Sequence, residues 1–168
     1  MIILGIDPGY AIVGYGTVDY RNSRFSVMEY GAVTTTAGTL FTDRLMSIYS
    51  ELSAIIERTK PDAMAIEKLF FNTNTTTAID VAQARGVILL AAKMHNLPVY
   101  EYTPLQVKSA VTGYGRAEKH QVMDMVKSLL RLEKIPKPDD TADALAIAVC
   151  HAHSAGSLYS RLNSGGSI

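Results

Sequence analysis

The sequence predicts an α/β fold: a five-stranded mixed sheet, three antiparallel strands followed by a parallel βαβ extension, flanked by helices. Three β-rich runs open the chain and are joined by tight turns. A run of helical period separates the third of them from a fourth, apolar strand. Beyond that point strand and helix patterns alternate, and helices close the order βββαβαβ.

Ile2–Ile6 is a short buried strand, ended by Asp7 and the Pro8-Gly9 turn. A second strand over Ile12–Asp19 carries Val13, Tyr15 and Thr17, which suit a pleated surface. Arg21-Asn22-Ser23-Arg24 then turns the chain into a third, Phe25–Thr34, and the short connections make an antiparallel meander. Leu45, Ile48, Leu52, Ile55 and Ile56 recur at helical spacing and predict a helix over Thr42–Thr59, stopped by Pro61. Ala63–Glu67 is the fourth strand. After the polar stretch Asn72–Thr77, a helix is expected to run to His95. It is apolar almost all round across Ala78–Ala92, so one side should pack on the sheet and the other against a partner subunit. Val99–Tyr102 is the fifth strand. Pro104 opens a short helix that Gly113-Tyr114-Gly115 breaks, and helices over Glu118–Leu132 and Thr141–His153 follow. One domain over residues 1–154 is expected, with a flexible Ser- and Gly-rich tail over 155–168. A right-handed crossover from the third strand to the fourth places strand one centrally, with strand two on one flank and strand four on the other. Ligands of such sheets bind at the carboxyl ends of parallel strands.

The composition narrows the class. A chain of 168 residues suits one core. Its single cysteine, Cys150, lies in an apolar stretch and reads as a small core residue of a protein in a reducing compartment. The apolar opening is interrupted by Asp7 and Pro8, too early for a signal peptide or a membrane span, so a cytoplasmic protein is expected. The 16 basic and 16 acidic residues balance, but unevenly along the chain. Between Lys108 and Lys137 seven basic residues face three acidic ones, a local excess that suits either a nucleic-acid surface or a solvated helix face.

The chemistry rests on carboxylates. Two apolar strands share one design: Ile2–Ile6 ends in Asp7, and Ala63–Ile66 ends in Glu67. With strands one and four adjacent, those two acids are neighbours. The last helix opens with Asp139-Asp140-Thr141-Ala142-Asp143, and Asp140 and Asp143, three apart, share a face. Singly, each acid has an ordinary use: Asp7 as a turn anchor, Glu67 as a surface charge, Asp139 or Asp140 as a helix cap. Together they do not. Two carboxylates ~4 Å apart repel by roughly 4 kcal/mol at an effective dielectric near 20, so a cluster must take up protons or bind a cation. There is no His/Cys set of zinc type, and His151 and His153, two apart, point different ways. An oxygen-only site suits magnesium or manganese, and a pair of such ions suits phosphodiester hydrolysis.

With these residues in place, the chain resembles the RuvC Holliday-junction resolvases, of ribonuclease-H-like fold. The matching stretches are GIDPG at Gly5–Gly9, AIEKLFF at Ala65–Phe71, QARG at Gln83–Gly86, GYGRAEKHQV at Gly113–Val122 and DDTADALAIAVCHAH at Asp139–His153. The resemblance implies that Asp7, Glu67, Asp140 and Asp143 hold Mg²⁺, with Mn²⁺ as a substitute and two ions per site, and that Lys108 and Lys119 are the essential basic residues. It implies DNA contacts by Phe70, with Phe71 adjacent to it, and by Tyr114 and Arg116. It further implies a homodimer, four-way junction DNA as substrate, and work alongside the RuvA–RuvB branch-migration complex. Nucleases for flaps, hybrids or structured RNA share the metal chemistry and are the nearest alternative. Nucleotide-binding modules of actin or sugar-kinase type share the Gly-x-Asp-x-Gly strand end but need a second domain.

Overall fold

A computed structural model of the chain describes residues 1–69 and 77–155. The elements run β1 (Ile2–Asp7), β2 (Ile12–Arg21), β3 (Arg24–Thr34), α1 (Phe41–Thr59), β4 (Ala63–Glu67), α2 (Ala78–Met94), β5 (Val99–Tyr102), α3 (Pro104–Thr112), α4 (Lys119–Leu129) and α5 (Asp139–Ala155). The strands form one sheet in the order β3-β2-β1-β4-β5. β1 is central, antiparallel to β2 and parallel to β4, and β5 extends the parallel half. This is the expected topology. The expected tail over 155–168 lies outside the described residues beyond Ala155.

Alternation along the strands sorts side chains between two cores. Leu4, Ile6, Met64 and Ile66 enter a core with Ile48, Leu52 and Ile88 of α1 and α2. Ile3 and Ala65 enter a second core with α3, α4 and α5. Asp7 and Glu67 continue the Ile3 and Ala65 rows, so both carboxylates leave the sheet on the α5 face.

α5 lies close on that face because its residues and those of the sheet are small. A Cβ added to Gly5 would stand 2.0 Å from the Ala144 carbonyl oxygen, and one on Gly14 would stand 2.0 Å from that of Asp140. Gly5 and Gly16 are cross-strand partners, as are Asp7 and Gly14, so backbone meets backbone along β1 and β2. The Thr141 hydroxyl donates to the Gly31 carbonyl over 3.0 Å, fixing the helix start above β3. Among the described residues, no helix is long and apolar enough to cross a membrane.

Two expectations need correction. α5 begins at Asp139 rather than Thr141, so Asp139 and Asp140 lie inside the first turn and neither is the residue before it. The chain turns helical as soon as Pro138 is passed, with its carbonyl accepting from Thr141 N–H. α4 ends at Leu129, where Leu130 closes the helix and Arg131 takes a left-handed conformation. On α2, Ala84, Ile88, Ala91 and Ala92 pack inward as expected, while the apolar Ile79, Leu90 and Met94 are more than half exposed. Within a single chain, only one face of this helix meets the sheet and α1.

Candidate active site

β1 and β4 pair in register up to Ile6 and Ile66, and the next residue on each is a carboxylate, Asp7 and Glu67. Gly14, the partner of Asp7 across β1 and β2, supports the backbone of Asp140. One helical turn on, Asp143 faces the same space. α4 contributes Lys119, whose Nζ stands 3.1 Å from Asp143 Oδ2 and 3.5 Å from Asp139 Oδ2. Glu118 and Gln121 form a reciprocal capping box at the start of α4, which places Lys119 as its first residue. On α3, Thr103 and Gln106 form a second such box, with Pro104 in the first turn and Gly113 in the left-handed conformation at the far end. α3 carries Lys108 to the same place. Glu67, Lys108, Lys119 and Asp143 line a cavity of about 220 Å³ floored by Val107 and Ile147.

The acids oppose one another's ionisation. Burial raises Asp7 to about 8, with Glu67, Asp143 and Asp140 pushing the same way and Lys119 drawing it back in part. Glu67 is also raised, by burial and then by Asp143. Asp143 is raised because burial outweighs its bond to Lys119. Burial disfavours the Lys119 ammonium, but Asp143 and Asp139 more than offset this and its pKa ends above the usual lysine value. Asp139 is lowered, chiefly by Lys137, whose Nζ donates to it over 2.6 Å.

Among the described residues, no group of three or more His, Cys, Asp or Glu side chains is drawn together tightly enough to grip an ion as it stands. Bare carboxylates push apart, and Lys119 supplies counter-charge by pairing with two acids of α5. The donor set still fits a hard divalent cation. It is all oxygen, it comes from three separate elements, and its mutual repulsion is what a cation relieves. A larger cavity of about 420 Å³, lined by Lys60, Asp62, His95 and Asn96 among others, lies at the opposite end of β4 and β5. It is lined by no comparable set of carboxylates and lysines, so the smaller cavity is the candidate site.

The structure thus brings together Asp7, Glu67, Asp140, Asp143, Lys108 and Lys119. Tyr114 and Arg116 are exposed on the connection between α3 and α4 and make no hydrogen bond or ion pair with these acids. Phe70 and Phe71 lie outside the described residues. His151 and His153 do point different ways: His151 is buried against Tyr100 and Tyr102, and His153 reaches the Ala110 carbonyl. Sequence reasoning missed Asp139 as a partner of Lys119, because that contact depends on how α4 docks. It also missed Gly5, Gly14 and Gly16, although three glycines in the two opening strands are a readable sign of close packing.

The family model for crossover junction endodeoxyribonuclease RuvC matches residues 3–151. A crossover junction endodeoxyribonuclease RuvC of Alkaliphilus metalliredigens is 62% identical over 92% of this chain and 94% of its own length. The chain belongs to the RuvC family. The solved RuvC of Thermus thermophilus superposes with a TM-score of 0.87 at 35% identity, covering 99% of this chain and 98% of that one. The T. thermophilus RuvC in complex with a Holliday junction substrate gives the same TM-score at 32% identity, with complete coverage of both chains. RuvC family members are nucleases dependent on divalent metal ions, and this chain has the α/β fold of its solved relatives.

Proposed function

We propose that this RuvC family chain is a structure-specific endonuclease that resolves four-way DNA junctions by metal-dependent hydrolysis, leaving symmetric paired nicks, in recombination and repair. The observation that carries this reading is the meeting of Asp7, Glu67, Asp140 and Asp143 with Lys119 at the carboxyl ends of β1 and β4.

The four carboxylates would hold Mg²⁺ or Mn²⁺, two ions per site, which when bound supply the Lewis acid that activates water and stabilises the leaving oxygen. Lys119 is held charged by its acidic partners and so meets the scissile phosphate as a cation. It stabilises charge that grows on the phosphate oxygens in the transition state. Lys108, which lines the same cavity, adds a second positive charge. Val107 and Ile147 add apolar wall to the same cavity, which would strengthen both effects. Tyr114 and Arg116, exposed beside α4, would meet the DNA backbone and position it without reading its sequence. Phe70 and Phe71, next to the polar stretch after β4, would stack on bases opened at the crossover.

Two strands of like polarity must be cut, and each chain has one acid cluster, so the working form is a two-fold homodimer. The exposed apolar residues Ile79, Leu90 and Met94 make α2 part of that interface. Action at a chromosomal junction places the protein in the cytoplasm, alongside the RuvA–RuvB branch-migration complex.

The test incubates end-labelled four-way junctions and matched linear duplexes with the protein in Mg²⁺, Mn²⁺ or EDTA. Paired nicks on junctions alone, and only with metal, are expected. Equal cutting of linear, flapped or hybrid substrates would keep the chemistry and overturn the substrate.

A further inference from the structure

The Asp7 carboxylate makes no hydrogen bond with any described residue, so no bond of its own fixes its aim and the backbone that carries it matters the more. That backbone is at the end of its support. Asp7 and Gly14 are the last paired residues of β1 and β2. The four-residue connection Pro8-Gly9-Tyr10-Ala11 follows, and Pro8 has no N–H to donate. Three neighbouring acids meanwhile push against the Asp7 charge.

What holds the connection comes from the opposite side of the sheet. The Thr35 amide donates to the Ala11 carbonyl over 3.0 Å, and the Thr35 hydroxyl donates to the Tyr10 carbonyl over 2.7 Å. Arg44 of α1 secures both members of that contact. Its Nε donates to Thr35 Oγ1 over 2.8 Å, which commits the hydroxyl proton to Tyr10, and its Nη2 reaches the Tyr10 carbonyl at 3.4 Å. The guanidinium also lies 4.6 Å from the centre of the Tyr10 ring, a cation–π contact that holds the side chain of the same residue.

We infer that Arg44, acting through Thr35, is a positioning residue for Asp7: it locks the connection after β1 so that the carboxylate stays aimed at α5. Arg44 touches neither the acids nor the cavity beside them. It works through three residues of backbone, one step further out than groups hydrogen-bonded to a ligand, whose removal typically costs about 10- to 100-fold in metal affinity, so the low end of that range is expected. The inference rests on the reading of Asp7 as a metal ligand.

The experiment measures Mn²⁺ binding to the full chain by electron paramagnetic resonance, without DNA, alongside thermal melting and junction affinity in EDTA. Arg44→Ala is expected to weaken Mn²⁺ binding about tenfold and to leave junction affinity in EDTA unchanged. Thr35→Val, which removes only the hydroxyl, should reproduce the loss, and Thr35→Ser should restore binding. The Thr35 pair decides the matter if Arg44→Ala does not fold. Wild-type Mn²⁺ affinity in Arg44→Ala and Thr35→Val, with binding lost in Asp7→Asn, overturns this inference and spares the metal reading. Unaltered Mn²⁺ binding in Asp7→Asn overturns both.

Discussion

The two faces of the sheet are built on opposite principles. On the α1 and α2 side, large aliphatic side chains such as Leu4, Ile6, Leu52 and Ile88 interdigitate, and no charged group enters the fully buried layer. On the α5 side the sheet offers Gly5, Gly14 and Gly16 and the helix offers Ala144 and Ala148, so main chains nearly touch. That second face carries every acid of the site. The difference teaches where precision is kept: a layer of flexible side chains can absorb small changes, whereas a backbone contact passes them directly to Asp140 and Asp143.

The largest expected effect separates function from stability on the α5 face. Asp7→Asn abolishes junction cleavage while binding in EDTA persists. It also raises the melting temperature of the metal-free protein at neutral pH, because an amide escapes the cost of keeping a buried carboxyl protonated that the unfolded chain would ionise. A variant that neither cuts nor binds would return Asp7 to a structural role. Next, Lys119→Ala should slow single-turnover cleavage on the order of 100-fold with a much smaller change in junction affinity. An unchanged rate would remove Lys119 from the chemistry.

The comparison is sharpest in a pair of core substitutions. Leu52→Ala, on the forgiving face, should cost about 4 kcal/mol in urea unfolding, yet each folded molecule should cut at the wild-type rate. Gly5→Ala adds one methyl group where 2.0 Å is available and should cost on the order of 3 kcal/mol, with cleavage per folded molecule also lost as α5 shifts. Equal activity in the two variants would refute the division between the faces.

The smallest effect is a pH dependence on the α5 side. The His151 ring packs 4.6 Å from that of Tyr100, and its Nδ1 lies 2.7 Å from the Tyr102 hydroxyl. Burial lowers His151 from 6.5 to about 4. The folded value is below the unfolded one, so its contribution is complete above pH 6.5 and is lost as pH falls toward 4. Unfolding free energies measured across that window should fall in the wild type and fall less in His151→Asn.

The sheet order and the pairing of Asp7 with Glu67 were legible in the sequence because both depend on short-range rules. Alternation, turn residues and the handedness of a crossover together place two strand ends side by side. Asp140 and Asp143 were legible because three residues of helix define a face. The link from Lys119 to Asp139 was not, since it depends on the docking of α4 against α5. The apolar pattern of α2 foretold one side on the sheet and one beyond it, but not which residues take each side, because that too depends on docking. The Arg44 relay escaped because its parts, at positions 10, 35 and 44, belong to no local pattern and meet only when the sheet closes on α1.

α5 bears on the order in which the molecule comes to exist. It is the final described helix, it supplies eleven buried residues, and it brings Asp140 and Asp143. During synthesis the strands bearing Asp7 and Glu67 leave the ribosome first, with their glycine-lined face still bare. Until α5 follows them, the strands have one of the two cores and two of the four candidate acids. The step that completes the second core is therefore the same step that completes the cluster of candidate acids.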